Sequence, residues 1–240
     1  MKKFLVLAVV VLSLASTAAL SQPKPRPRST PAKLPAGVPV KPGTTAVDKT
    51  FAWEKGEVSG RTYTNHSLGF EVTFPDTWLI PDDDFETYMK SQGFDLSLKA
   101  PDSLPPASKT KVNAALKKVQ VLLTAYRSMP GMADNAIVRI SAEDLAANPQ
   151  IKDAVDYLDA VRTMYGTMRL PADFKYTETG AEKLGAHQFG YIDTSSKDGK
   201  KRLYVTVSKG VAVLFTISYT DAPDLETLRS VLAAGNFKLQ

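Results

Sequence analysis

Apolar and polar positions alternate first at 70–74. Phe70, Val72 and Phe74 share one face, and Glu71 and Thr73 the other. A period of two is the mark of a half-buried strand. Residues 61–64 read as a partner strand, with 65–68 as the turn between the two. Pro75 and Asp76 end the run and Trp78 follows. Asp82, Asp83 and Asp84 lead into a short helix at 85–90, acidic in its first turn and closed by Gly93. Strands are expected at 94–99, 119–126 and 136–141. A turn or two of helix is expected over 107–117, and a turn at 129–131.

The clearest helical stripe is Ile151, Val155, Leu158, Val161 and Tyr165, which predicts a helix over 149–165. Lys152, Asp153, Asp156 and Asp159 lie off that stripe. Beyond it, strands are expected at 174–179 and 188–194. Asp198-Gly199 is a hairpin signal returning through 203–207, and Lys209-Gly210 turns into 211–219. These last strands make an antiparallel meander. The 211–219 segment is nearly apolar on both faces, which places it at the centre of its sheet. Asp224 is expected to cap a last helix with Leu225, Leu228, Val231 and Leu232 inward, and the chain runs on to Phe237, Lys238 and Leu239. The layout is α+β: one antiparallel sheet covered by helices.

Two further segments lie upstream. Lys2 and Lys3 precede an unbroken apolar run at 4–12 and the small residues Ser13, Ala15, Ser16, Thr17, Ala18 and Ala19. This pattern predicts a signal peptide at 1–21, cut before Gln22 or after Ala19. The rival reading is an uncleaved anchor, for which the 4–20 run is short of the roughly 20 apolar residues a span needs. Proline recurs at 23, 25, 27, 31, 35, 39 and 42, so 22–60 reads as a basic, proline-rich, disordered linker before a domain at 61–240. Lys24, Arg26, Arg28, Lys33 and Lys41 allow either contact with cell wall or anionic lipid, or a plain solvated tether.

Charge follows the same division. The leader carries +2, the linker +4 and residues 61–240 carry −1, within a net +5. The basic excess therefore sits outside the domain, which argues against nucleic acid as a partner. Cysteine is absent. That excludes disulfides, thiolate metal sites, a catalytic Cys and lipidation of an N-terminal Cys. With the signal peptide, the chain is therefore expected in the periplasm or outside the cell, and not as a lipoprotein.

Candidate chemistry is sparse. Asp82, Asp83 and Asp84 could hold a hard cation, but no spaced loop or later Glu completes the pattern, and an acidic helix start explains them. His66 and His187 could be metal ligands or a proton relay, or structural histidines. Asn65-His66-Ser67 fits a glycosylation sequon and equally a β-turn. Tyr63, Phe70, Phe74 and Trp78 could line a ligand groove, though their spacing suits core anchors better. No Gly-x-Ser-x-Gly element or phosphate-cradling glycine loop is present. No catalytic, cofactor-binding or metal residue is assigned, and no cofactor is expected.

The opening Tyr63-Thr64-Asn65, then Gly69-Phe70, Phe74-Pro75 and Trp78, resembles the start of PsbP-like domains. Gly185 to Phe189, then 215–219, a helix and Phe237 fit the same pattern, so the resemblance covers 61–240. The superfamily includes photosystem II extrinsic subunits and exported bacterial proteins of the DcrB type, whose lipidation needs a Cys this chain lacks. The resemblance implies a three-layer α/β/α sandwich about a central antiparallel sheet. It also implies binding or assembly rather than catalysis, the role members of the superfamily usually have, although fold by itself does not carry function. The expected role is an exported non-enzymatic domain that binds a protein or envelope component, with no transmembrane span after signal cleavage. The alternatives are a small-molecule or metal-binding protein, or a divergent carboxylate-based hydrolase.

Overall fold

Phe70 and Val72 are buried and Glu71 and Thr73 exposed, as the alternation requires. The computed structural model describes residues 53–238, apart from 83, 97, 101–103, 133–134 and 198. The expected signal peptide and most of the expected linker therefore lie outside the described residues, as does Asp198 of the hairpin signal. The elements in order are β1 (Glu57–Ser59), β2 (Thr62–Asn65), β3 (Phe70–Thr73), α1 (Phe85–Ser91), α2 (Pro106–Leu116), β4 (Val119–Tyr126) and β5 (Ile137–Asp144). Then come α3 (Ala154–Thr167), β6 (Lys175–Tyr176), β7 (Gly180–Leu184), β8 (His187–Ser196), β9 (Gly199–Ser208), β10 (Val211–Tyr219), α4 (Ala222–Ala234) and β11 (Asn236–Phe237).

The chain is α+β, but with two antiparallel sheets where one was expected. A seven-stranded sheet runs β4-β5-β10-β9-β8-β6, with β7 also on β8, and a four-stranded sheet runs β1-β2-β3-β11. The opening strands do not join the larger sheet. Their apolar face lies on it instead: Tyr63, Phe70, Val72 and Phe74 share a core with Val138, Ile140, Phe189, Tyr204, Val213 and Phe215, and with Leu228, Val231 and Leu232 of α4. The opposite face of the larger sheet, through Ile192, Leu203, Val205 and Leu214, packs on Tyr157, Leu158, Val161 and Tyr165 of α3 and on Val112 and Ala115 of α2. Strand β10 lies between β5 and β9, central as its two apolar faces require, and β8-β9-β10 form the meander.

Several expectations shift. Residues 94–96 and 98–100 are irregular rather than a strand: Leu98 packs on the α3-side core while the Ala100 amide bonds Asn113 Oδ1 at 3.2 Å. One apolar face is satisfied there by a loop. Helix α3 starts later than its stripe suggests, because Asp153 caps it, accepting from the Val155 and Asp156 amides at 2.9 Å each. Ile151 is then buried ahead of the helix and Val155 is 51% exposed, while Tyr157 and Met164 complete the buried stripe. The strand expected at 174–179 shrinks to β6, and β7 and β11 were not foreseen. Asp221, not Asp224, stands at the start of α4; Asp224 is buried inside it, with Oδ1 3.3 Å from Arg127 Nε. Strand β1 falls inside the span expected as linker, so ordered structure begins upstream of Arg61.

The β7–β8 hairpin turns at Gly185, with φ +60, against the end of α4. A Cβ there would lie 2.1 Å from the Ala233 carbonyl oxygen. Gly60 has the same φ and open space around it. Gly185→Ala is therefore expected to lose about 2 kcal/mol or more, and Gly60→Ala only about 1 kcal/mol, because both carry left-handed strain but only one also clashes with backbone. Urea melts of the two variants check this; equal losses would mean that the hairpin does not bear on α4.

Candidate functional site

Strand β4 is an edge: it pairs with β5 and with no other strand among the described residues. At its far end the chain adds a single residue to that edge. The Leu79 amide donates to the Tyr126 carbonyl at 2.7 Å, and the Tyr126 amide donates to the Leu79 carbonyl at 2.9 Å. The Tyr126 backbone groups thus point away from β5. In an antiparallel ladder outward pairs recur every second residue, so the Thr124 N–H and C=O point outward too. Continued in the same register, the added strand would place Pro81 opposite Thr124. Proline has no N–H to donate, and the chain leaves the edge at this point to enter α1. The Thr124 backbone groups have no partner among the described residues. At the near end, Gln120 holds Trp53, donating Nε2 to its carbonyl and accepting from its amide, both at 2.7 Å.

Between these two attachments lies a groove of about 400 Å³. Val121, Thr124 and Arg139 form its floor, while Phe85, Leu96 and Leu98 form its wall, and Lys55, Asp82 and Glu86 also line it. Tyr126 bounds one end, its ring 5.7 Å from that of Phe85; burial pushes its hydroxyl pKa up. Arg139 sits on β5 directly across from Thr124. Burial lowers the pKa of its guanidinium, opposed only by the Tyr126 hydroxyl. Among the described residues, Arg139 has no hydrogen bond and no ion pair. A half-buried cation without a counter-charge is unfavourable unless something else compensates it.

Two other polar clusters differ from this one. On β7–β9, Arg202 grips Asp193 through Nε and Nη2 at 2.7 and 2.6 Å and lies over the Tyr191 ring at 4.3 Å. Tyr204 donates to Glu182 at 2.6 Å, and Arg229 of α4 also pairs with Glu182. Burial opposes ionisation of Glu182, but the bonds from Tyr204 and Arg229 hold its carboxyl below the usual range. These charges satisfy one another and tie α4 to the sheet. The second cluster is Glu143 on β5, wholly buried, which accepts from the Tyr157 hydroxyl at 2.5 Å. Burial pushes its carboxyl up to about 7, against the Tyr157 bond and the Lys118 charge, and Oε1 has no partner among the described residues.

The residues singled out in the sequence are scattered. Asp82 lines the groove, Asp84 stands before α1 without a side-chain cap bond, and Asp83 is outside the described residues. His66 is exposed in its turn, 3.4 Å from Glu57. His187 bonds Thr206 Oγ1 at 2.9 Å and stacks on Phe237, and burial lowers its pKa. Asn65 is buried and organises the β2–β3 turn, accepting from Ser67 Oγ and the Leu68 amide at 2.9 Å each. Tyr63, Phe70, Phe74 and Trp78 are core, not groove. Among the described residues, no three His, Asp or Glu side chains gather as a metal site would need. Pro81, Thr124 and Arg139 read in the sequence only as a helix lead-in and strand residues, not as site residues; the available signal was a lone arginine inside the apolar run 136–141.

No family model matches the chain, and no curated protein matches it. Among solved structures it is similar to a protein of Bacteroides thetaiotaomicron VPI-5482, at 10% identity and a TM-score of 0.36, over 75% of this chain and 49% of that one. The chain thus spans about half of that protein's length. It is also similar to cyanobacterial PsbP (CyanoP) from Synechocystis sp. PCC 6803, at 13% identity and a TM-score of 0.39, over 76% of this chain and 98% of that one. The second bears the family name that the opening motif resembles. At these scores neither likeness carries further argument. No helix among the described residues is long and apolar enough to cross a membrane.

Proposed function

We propose that this chain is an exported, non-enzymatic binding domain that takes an extended segment of a protein partner along the open edge of β4. The observation that carries the reading is the pair of outward Thr124 backbone groups beside a groove, on an edge that already accepts Leu79. A peptide strand added there gains backbone hydrogen bonds of about 0.5–1.5 kcal/mol each and fills side-chain pockets beside them. The basic leader with its apolar run supports export, 1–21 being the signal and 22–60 a spacer whose last residues dock on the domain. The PsbP-like opening motif supports a binding role.

Hydrogen exchange on the full chain tests the reading. The Thr124 amide should exchange fast alone and slow at least about tenfold in the presence of solubilised native envelope, while exchange over α3 stays unchanged. Unaltered exchange across 121–125 would remove the β4 edge as the binding site.

A further inference from the structure

Arg139 narrows the chemistry of the segment that binds. We infer that the groove selects a strand carrying a carboxylate side chain, and that Arg139 is the group that recognises it. The inference rests on the reading of the β4 edge as strand-accepting. Cross-strand neighbours share a face, and Thr124 and Arg139 are direct neighbours whose side chains both line the groove. A ligand residue opposite Thr124 therefore points its own side chain over the same floor. Its backbone lies two strand spacings from β5, about 10 Å. A long arginine stem and a glutamate together span that gap, whereas an aspartate spans it less well.

The electrostatics point the same way. Lys55, Asp82 and Glu86 are the other charged residues lining the groove. Asp82 and Glu86 are exposed, so water screens them. Arg139 is the half-buried charge, where an ion pair is strongest and an unpaired cation most unfavourable. A bidentate carboxylate matches the planar guanidinium fork. The chain's own upstream segment is a poor occupant, since residues 22–60 are rich in Lys and Arg.

Phage-displayed random heptapeptides, selected in parallel on the full chain and on Arg139→Gln, provide the test. Selection on the unmodified chain should give a strand-forming consensus with glutamate or aspartate at one fixed position. A synthetic peptide of that consensus should bind about tenfold tighter than its glutamine counterpart, and the preference should vanish on Arg139→Gln. The variant should melt no lower than the unmodified chain, because the substitution breaks no bond. A variant that unfolds or melts much lower makes Arg139 structural and overturns the inference. A consensus lacking an acid, or an acidic one that survives Arg139→Gln, also overturns it while leaving the edge reading intact. No consensus at all from the unmodified chain overturns both.

Discussion

Phe70→Ala should destabilise the chain by about 3–5 kcal/mol, the range for a large aromatic lost from a packed interior. Phe70 is where the two sheets meet. Its ring lies 5.7 Å from Tyr63 within the small sheet, 5.5 Å edge-on from Phe215 of β10, and 6.1 Å from Phe237 of β11, stacked. Truncation leaves a cavity bordered by three rings, none of which can close it without leaving its other contacts. Equilibrium urea unfolding measures the loss. A loss below about 1 kcal/mol would mean that the small sheet is an appendage rather than part of one core.

Glu143→Gln should gain stability on the unmodified chain as pH rises from 4 to 8, by on the order of 3 kcal/mol. The folded carboxyl titrates at about 7, raised by burial, and its ordinary value is 4.5. Between those values the folded chain keeps a proton that the unfolded chain has released, so raising the pH favours unfolding. The stability contributed by the neutral carboxyl is full below about 4.5 and is lost as pH rises through about 7. Glutamine is neutral throughout and keeps an oxygen for the Tyr157 hydroxyl. His187, whose pKa burial lowers, is common to both proteins and cancels in their difference. Urea midpoints across the pH series decide the matter: a constant gap between the two proteins would show that Glu143 is not held neutral by burial.

Features set by a single segment were legible in the sequence. The period of two at 70–74 and the doubly apolar run at 211–219 each reflect one strand's surroundings, and both strands form where the pattern puts them. Pairing between distant segments was not legible. Two residues, Asn236 and Phe237, suffice to complete the small sheet, and no periodicity can show in so short an element. The start of α3 was misplaced because one carboxylate, on Asp153, bonds two amides and outweighs the stripe through Ile151 and Val155. At the groove, Asp82 was noticed for its neighbours in sequence. Arg139 was missed because its significance lies in what fails to cover it, and that depends on Pro81 turning the chain away from an edge formed by residues far downstream.

The pairing of β11 with β3 also bears on the order in which the molecule can be made. The hydrophobic faces at Tyr63, Phe70 and Phe74 leave the ribosome early, yet part of what covers them comes from β10, α4 and β11, among the last described residues to emerge. Contacts of such long separation form slowly. Until they form, a short hairpin with an apolar face stands uncovered and prone to associate with other chains. Folding of this hairpin therefore waits for elements far downstream in the chain, and its apolar face stays open to association until they arrive.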